Sequence, residues 1–289
     1  MTRLFLGLDG GQSGTTAVIG NEQGCVLGRG QAGPCHLPSA IRDAVAAAAR
    51  EAGLEPGRVR FLSACLGFSG GAAGKRAIVE RVVTAEHLIL TSDAAIALTG
   101  ATGGEPGIVT IAGTGSIAFG RNAEGRTARA GGWGHLFGDE GGAFGLVRQA
   151  LRAALRCEEG WGPATKLLEK LTQATGTASA NDLLHLFYTT PRDRIASFAP
   201  LVEQAAAQGD EAARQILDEA AGQLAALTCA VQEQLFAPGE SPLVAWSGGA
   251  FSSPLLLGCY RARVKAVPPL HSPAVGALIE ALRVLRSQF

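Results

Sequence analysis

The chain has 289 residues, of which 25 are lysine or arginine and 25 are aspartate or glutamate, so its formal net charge is zero. This length is enough for two lobes, each with its own hydrophobic core. The sequence has no basic excess, and the charge balance therefore argues against nucleic acid or an anionic membrane surface as a partner.

The sequence carries no recognisable signal for secretion or membrane insertion. Its first apolar run stops at Asp9, which is too short for a signal peptide, and no stretch approaches the roughly 20 apolar residues that span a bilayer. The six cysteines are scattered and form no CxxC pair, so they indicate neither a zinc site nor a disulfide framework. We therefore expect a cytoplasmic protein.

The amino-terminal part predicts three strands joined by glycine turns, followed by alternating helices and strands. The predicted strands lie at 4–9, 15–20, 24–30, 59–67 and 88–91. The predicted helices lie at about 40–52, where Ser39 is the cap, and at 73–83 and 94–100. The element order is therefore βββαβαβα.

The same pattern of elements restarts near residue 107. The predicted strands are 107–112, 116–121, 127–130, 243–246 and 264–267. The predicted helices fill 142–236, with breaks near 160–163 and 190–191, then 252–261 and from 273 onwards. Two three-stranded openings imply two related α/β lobes with a cleft between them. We place these lobes at 1–112, against which a helix at 274–289 could pack, and at 113–273.

A glycine-rich turn, LDGGQSGTT at 8–16, follows the first strand. Glycine tolerates positive φ, so successive backbone N–H groups in such a turn can converge on phosphate oxygens. Asp9 can hold Mg²⁺ through water beside those phosphates. Taken alone, the segment is explained equally well by an ordinary hairpin turn. The residues predicted to bind the nucleotide here are Asp9, Gly10, Gly11, Gln12, Ser13 and Thr15.

Two further glycine turns favour the phosphate interpretation. IAGTGS at 111–116 repeats the order strand, glycine turn, hydroxyl groups, strand. WSGGA at 246–250 joins a strand to a helix, where the backbone can pack on a purine ring. Three such turns in this order indicate a nucleotide site. The added predicted contacts are Gly113, Thr114, Gly115, Ser116, Gly248 and Gly249.

In these motifs the sequence resembles the actin-like superfamily, and within it the N-acetylglucosamine kinase and BadF/BadG/BcrA/BcrD ATPase family. The resemblance rests on GLDGG at 7–11 with Ser13 and Thr15, on GIVTIAGTGS at 107–116 and on SGG at 247–249, and it runs over essentially the whole chain. It implies two actin-like (ribonuclease H-like) lobes, ATP and Mg²⁺ as cofactors, and a homodimer.

The most family-specific segment is GGWGHLFGDEGG at 131–142. By the resemblance this loop lines a sugar pocket, and Trp133, Gly134 and Asp139 are sugar-site residues. Favourable charge at the N-terminus of the following helix is a second explanation for Asp139, and the two are compatible.

Asp93, in TSDAA at 91–95, matches the family's catalytic and sugar-binding aspartate. A carboxylate there can accept the proton of a sugar hydroxyl as its oxygen attacks the γ-phosphate. A helix N-cap is the competing interpretation, since aspartate caps helices well. The glycine turns and the 131–142 loop together favour the catalytic role.

One position departs from the family pattern. In GPCH at 33–36 the family's sugar kinases usually end with an asparagine that contacts the sugar, and here His36 replaces it. Imidazole is bulkier than the amide of asparagine, and it can donate or accept a hydrogen bond. His36 therefore puts the identity of the sugar in question more than the reaction.

The leading interpretation is an ATP-dependent kinase that phosphorylates N-acetylglucosamine or glucosamine at the 6-hydroxyl. The alternative is an activating ATPase of the dehydratase-activator type, whose iron–sulfur cluster needs suitably placed cysteines, a pattern that the six scattered cysteines do not show. A sugar-responsive transcription regulator would need an added DNA-binding segment, and the chain begins directly at its first strand.

Overall fold

The computed structural model describes residues 3–12, 14–37 and 39–286. The strands are β1 to β9, at Leu4–Gly10, Thr15–Asn21, Val26–Ala32, Arg60–Phe68, Thr84–Ser92, Gly107–Ala112, Ser116–Arg121, Thr127–Gly131 and Leu243–Ser247. The helices are α1 to α11, at Ala40–Glu51, Arg76–Glu80, Asp93–Thr102, Ala143–Glu158, Leu167–Thr175, Ala180–Thr189, Arg192–Ala196, Ala199–Ala207, Glu211–Leu235, Pro254–Arg261 and Pro273–Arg286.

The described residues divide into two compact units. Unit 1 comprises Met1–Val109, Gly120–Gly125 and Pro268–Phe289, and unit 2 comprises Thr110–Phe119 and Arg126–Val267. The boundary falls within β6 and β7. The predicted lobe boundaries remain our proposal. They place residues 1–112 and the helix at 274–289 in one lobe and residues 113–273 in the other.

Unit 1 is built on a five-stranded sheet in the order β3-β2-β1-β4-β5. β1 pairs antiparallel with β2 and parallel with β4, which pairs parallel with β5. Alternate residues of β1 point to opposite faces. Leu6 and Leu8 pack with α1 on one face, whereas Phe5 packs with Ala274 and Leu278 of α11 on the other. Both faces of β1 are therefore buried, as its nearly continuous apolar sequence indicates.

Unit 2 contains a four-stranded sheet in the order β8-β7-β6-β9, together with helices α4 to α10. The strand order matches that of β3-β2-β1-β4 in unit 1, and this match fits the two related lobes inferred from the restarted sequence pattern. A buried hydroxyl cluster joins the sheet to the helices: the Thr110 and Thr228 hydroxyls lie 2.7 Å apart, and the Tyr260 hydroxyl lies within 3.0 Å of each. These bonds satisfy polar groups that would otherwise be costly to bury.

Two predicted elements are wrong. The helix predicted at 73–83 is only Arg76–Glu80, because Gly74 adopts φ +71°, outside the helical region. The strand predicted at 264–267 is a single bridge between Val267 and Ala245, and the prolines at 268 and 269 cannot extend that bridge into a ladder beyond Val267.

Candidate active site

Asp9 and Asp93 lie at the carboxyl ends of parallel strands in the sheet of unit 1. In the parallel register Asp9 is opposite Gly67, which is opposite Thr91, and Asp93 follows two residues later at the start of α3. Burial, and next the negative charge of Asp93, raise the pKa of Asp9 to about 6. Burial also raises the pKa of Asp93. Each carboxylate therefore holds a proton to a higher pH than aspartate ordinarily does.

Ser92, not Asp93, is the N-cap of α3. The Ser92 hydroxyl accepts a hydrogen bond of 3.2 Å from the Ala95 N–H, whereas Asp93 Oδ1 accepts one of 2.8 Å from the Ala94 N–H. The Ser69 side chain also hydrogen-bonds to Asp93. The competing interpretation of Asp93 as the cap thus applies to its neighbour, and the catalytic role stays a prediction.

The first glycine turn is held by backbone hydrogen bonds. Gly11 N–H donates to Gly14 O at 2.9 Å, and Gly11 O accepts from Cys35 N–H at 3.0 Å. In a trans peptide the carbonyl and the next N–H point in opposite directions, so the Gln12 N–H points away from Cys35. Thr15 is buried and its hydroxyl donates to Gly33 O at 2.9 Å. Ser13 lies outside the described residues.

The second glycine turn joins β6 to β7 in unit 2 and packs on the start of α4. Gly113 O and Thr114 O accept hydrogen bonds from the Ala143 and Phe144 N–H groups, at 2.8 and 3.1 Å. These bonds satisfy two of the N–H groups that a helix N-terminus leaves unpaired. By the same peptide geometry, the N–H groups of Thr114 and Gly115 point away from α4. They are the donors of this turn that a phosphate can reach.

Asp139 is buried against the second glycine turn. Its Oδ1 accepts a hydrogen bond of 3.3 Å from Ser116 N–H, and its Oδ2 lies 2.5 Å from Arg192 Nη2. The residue is 5 % exposed and adopts φ +64°. A Cβ on Gly115 would lie 2.4 Å from the Asp139 carboxyl carbon, so only glycine permits this approach. The Ser116 hydroxyl also takes part in a hydrogen bond within the protein, which it donates to Glu140 O.

The other predicted sugar residues are more accessible. Trp133 is 66 % exposed and lies under the Arg129 guanidinium, 4.9 Å from its ring centroid. Gly134 accepts from Gly138 N–H at 2.8 Å within the same loop. His36 is exposed in unit 1.

The third glycine turn follows β9. Gly248 and Gly249 are exposed, and Gly248 adopts φ +101°, where an added Cβ would lie 2.4 Å from Ala112 O. It therefore lies next to the end of β6 in unit 2.

Asp9 suits Mg²⁺ better than a structural metal. Among the described residues, no group of three or more His, Cys, Asp or Glu side chains could hold a metal ion. Mg²⁺ is bound through one or two carboxylates, several waters and substrate phosphates, and needs no such cage. The negative charge of Asp93 raises the pKa of Asp9, and a divalent cation held through water beside Asp9 would favour its ionised form.

Comparison with known proteins identifies the family. The model of the BadF/BadG/BcrA/BcrD ATPase family matches residues 6–281. The chain belongs to this family. The resemblance drawn from the glycine turns and the 131–142 loop is thus confirmed.

The chain is also similar to proteins named as sugar kinases. The chain is 32 % identical over 264 residues, 87 % of its length and 86 % of the relative's, to the N-acetylmuramic acid/N-acetylglucosamine kinase of Clostridium acetobutylicum. It is 31 % identical over 272 residues, 85 % of each chain, to the N-acetyl-D-glucosamine kinase of Dictyostelium discoideum.

A solved structure confirms the fold. A Chromobacterium violaceum protein, provisionally named as an N-acetylglucosamine kinase, matches with a TM-score of 0.82 and 26 % identity, over 97 % of this chain and 99 % of that one. The two-lobe, actin-like α/β fold that the resemblance implied is therefore confirmed.

Two residues near the predicted site were missed from the sequence. Lys75 Nζ donates to Ser69 O at 3.3 Å, lies 4.4 Å from the Phe68 ring centroid, and its charge opposes the rise in the pKa of Asp93. A single lysine after the Gly70-Gly71 turn was the only available signal. Arg192, the partner of Asp139, is 53 residues away in sequence, so nothing local indicated it.

Proposed function

We propose that this protein transfers the γ-phosphoryl group of ATP to the 6-hydroxyl of an amino sugar, N-acetylglucosamine or glucosamine. The observation that carries the proposal is Asp93, a half-buried carboxylate at a strand end that the helix does not need as its cap. Two relatives at 31 and 32 % identity that are named as amino-sugar kinases support it.

We assign ATP binding to the three glycine turns. The N–H groups of Gln12, Thr114 and Gly115 are oriented to donate to phosphate oxygens, because the carbonyls before them are engaged within the protein. Thr15 and Ser116 hold their turns through their hydroxyls. Asp9 would hold Mg²⁺ through water, and bound Mg²⁺ would neutralise charge on the β- and γ-phosphates. Gly248 and Gly249 are assigned to the adenosine.

We assign Asp93 as the general base. As the 6-hydroxyl oxygen forms its bond to the γ-phosphorus and the bond from phosphorus to the β–γ bridging oxygen breaks, the hydroxyl proton passes to the Asp93 carboxylate. Burial raises the pKa of Asp93, which brings its basicity closer to that required near neutral pH. The hydrogen bond from Ser69 and the charge of Lys75 oppose that rise and favour the ionised form of the carboxylate.

We assign the sugar contacts to Trp133, Gly134, Asp139 and His36. Each oxygen of Asp139 already takes part in one interaction. A carboxylate oxygen has two lone pairs, so each can still accept a bond from a sugar hydroxyl. His36 replaces the asparagine usual in the family and bears on whether the N-acetyl group is accepted.

We propose that the protein is a cytoplasmic homodimer that binds neither nucleic acid nor membrane. None of the described helices is long and apolar enough to cross a membrane. On unit 2, Phe137 and Tyr188 are each 83 % exposed and Trp161 is 64 % exposed. Aromatic side chains are enriched at protein–protein interfaces, so these exposed residues are candidates for the dimer contact. Sedimentation at several protein concentrations tests the dimer directly.

The proposed reaction is tested by ADP release from ATP in the presence of each of five sugars: glucosamine, N-acetylglucosamine, N-acetylmannosamine, N-acetylmuramic acid and glucose. We expect an amino sugar to stimulate release well above the rate with glucose. If no sugar changes the rate, and an iron–sulfur chromophore forms on anaerobic reconstitution, the activating-ATPase alternative is correct instead.

A further inference from the structure

A fourth glycine-rich segment, SGGAAGK at 69–75, follows β4 in unit 1. Gly70, Gly71 and Gly74 adopt φ between +71° and +88°, a region that glycine enters without strain. A Cβ added to any of the three would meet nothing within 4 Å. The backbone conformation, rather than close packing, therefore requires glycine here, and it leaves space beside the segment.

This segment contacts both the first glycine turn and Asp93. Ser69 N–H donates to Gly10 O at 3.0 Å, and the Ser69 side chain hydrogen-bonds to Asp93. In the sheet, Phe68 is opposite both Gly10 of β1 and Ser92 of β5. The Phe68 ring packs on the turn, because a Cβ on Gly10 would lie 2.6 Å from Phe68 Cδ1. The segment therefore joins the turn assigned to phosphate to the carboxylate assigned as base.

Lys75 carries the positive charge of this segment. Its Nζ donates to Ser69 O at 3.3 Å and lies 4.4 Å from the Phe68 ring centroid. The positive charge of Lys75 opposes the rise in the pKa of Asp93, so the ammonium lies close enough to that carboxylate to act on its charge. An ammonium group has three N–H donors, and Ser69 O accepts from one of them. The remaining donors can bind an anion held beside Asp93.

The anion that fits this position is the phosphoryl group in transfer. When a hydroxyl at Asp93 attacks the γ-phosphate of ATP, negative charge is spread over the equatorial oxygens of that phosphate. Asp9 and Asp93 add further negative charge, so a cation already positioned beside them offsets the repulsion. Lysine binds phosphate as a point charge on a flexible stem. A neutral sugar hydroxyl gains less from an ammonium, because only one partner of that hydrogen bond is charged.

We propose that Lys75 binds the γ-phosphoryl group of ATP and stabilises it during transfer. Its ammonium donates a hydrogen bond to a non-bridging oxygen and stays protonated. The sugar proton therefore still passes to Asp93, and the electron pair of the broken phosphorus–oxygen bond still leaves with ADP. The inference rests on the proposed function, because that function supplies ATP and assigns Asp93 as the base.

The test compares the dissociation constants of Mg²⁺–AMPPNP, a non-hydrolysable ATP analogue, and of Mg²⁺–ADP, which lacks the γ-phosphate. Loss of a hydrogen bond to a charged group corresponds to about 10- to 100-fold in an equilibrium. We expect Lys75→Gln to weaken AMPPNP by that factor more than ADP, and Lys75→Arg to lie between Lys75→Gln and the original protein. Arg76→Gln is the matched control, because it removes the same charge one residue later, where Arg76 pairs with Glu80 at 3.2 Å. This control should leave both constants unchanged.

A measurement on the unaltered protein covers the case in which Lys75→Gln does not fold. Mg²⁺–AMPPNP should protect Lys75 from an amine-reactive label more than Mg²⁺–ADP does, whereas exposed Lys166 in unit 2 should react equally with either nucleotide present. Equal weakening of both nucleotides by Lys75→Gln, no weakening of either, or equal protection of Lys75 would overturn the inference. Neither readout needs a sugar. Nucleotide binding without sugar phosphorylation would overturn the proposed function alone, and failure to bind either nucleotide would overturn both.

Discussion

The carboxylate of Asp93 repels that of Asp9, and this repulsion adds to burial in raising the pKa of Asp9 to about 6. Asp9 lies near the end of β1 and Asp93 directly follows β5, and both of these strands pair in parallel with β4, which lies between them. Two close carboxylates are unfavourable together unless a cation or a proton intervenes. The repulsion between the two carboxylates therefore fits Asp93 as a base and Asp9 as a Mg²⁺-binding residue better than it fits two purely structural roles.

Asp9→Asn should change how stability depends on pH. The folded pKa of about 6 exceeds the ordinary value of 3.8, so the folded state binds more protons than the unfolded state between these values. The contribution of Asp9 to stability is complete below pH 3.8 and is lost as pH rises through about 6. In Mg²⁺-free buffer, the variant should gain about 1–3 kcal/mol relative to the original protein between pH 4 and 7.5. Parallel unfolding curves for the two proteins across this range would contradict the assignment.

Gly115→Ala should destabilise unit 2. Its Cβ would lie 2.4 Å from the Asp139 carboxyl carbon and displace that group from Ser116 N–H and Arg192. Breaking a largely buried ion pair should cost about 2–4 kcal/mol in denaturant unfolding. Gly113→Ala is the control in the same turn, since a Cβ there meets nothing within 4 Å. Similar losses for both variants would mean that Asp139 is not packed on Gly115.

Asp210→Ala should weaken the start of α9. Asp210 accepts from Ala213 N–H at 3.0 Å, Lys166 N–H at 2.8 Å and the Thr165 hydroxyl at 2.7 Å. Burial opposes ionisation, but these hydrogen bonds outweigh it and lower the pKa of Asp210. We expect a loss of about 1–2 kcal/mol at neutral pH.

The effect of Asp210→Ala should diminish in acid. Because the folded pKa lies below 3.8, the contribution is present above that pH and is lost as pH falls through the folded pKa. Ser179→Ala, which removes the exposed cap of α6, is a comparison that should cost less. A loss for Asp210→Ala that does not change with acidity would contradict the pKa assignment.

The His36→Asn variant tests whether the histidine that replaces the family's usual asparagine affects the choice of sugar. Asparagine restores the side chain that the family's sugar kinases usually have there, so the ratio of kcat/KM for N-acetylglucosamine to that for glucosamine should change. His36 is exposed, so the unfolding midpoint should hardly move. An unchanged ratio would place His36 outside the sugar site.

Much of the fold was predictable because its signals are local. The apolar run of β1 and the glycines that end it specify a buried strand and a turn within a few residues, and the same holds for β6. The edge strand β5 was predicted too short, at 88–91, because polar Glu86 and His87 interrupt its pattern where the strand faces solvent.

The candidate site was only partly predictable. Asp9 was found from the strand end that carries it, and Asp93 was found from its match to the family's aspartate in TSDAA at 91–95. Their mutual effect on pKa depends on sheet register, and Arg192 depends on the folding of the helical segment back onto Asp139. These relationships join residues far apart in sequence, so no local pattern encodes them.

The proposed role of Asp93 is that of the base that activates a sugar hydroxyl. It is tested by measuring the sugar phosphate formed from ATP and N-acetylglucosamine by the original protein and by Asp93→Asn, with thermal unfolding recorded beside it. Asparagine preserves size and can still accept from the Ala94 N–H, and Ser92 still caps the helix. We predict sugar 6-phosphate from the original protein and a kcat lower by about 10²- to 10⁴-fold in a folded variant. A folded Asp93→Asn variant with near-normal turnover would contradict the account.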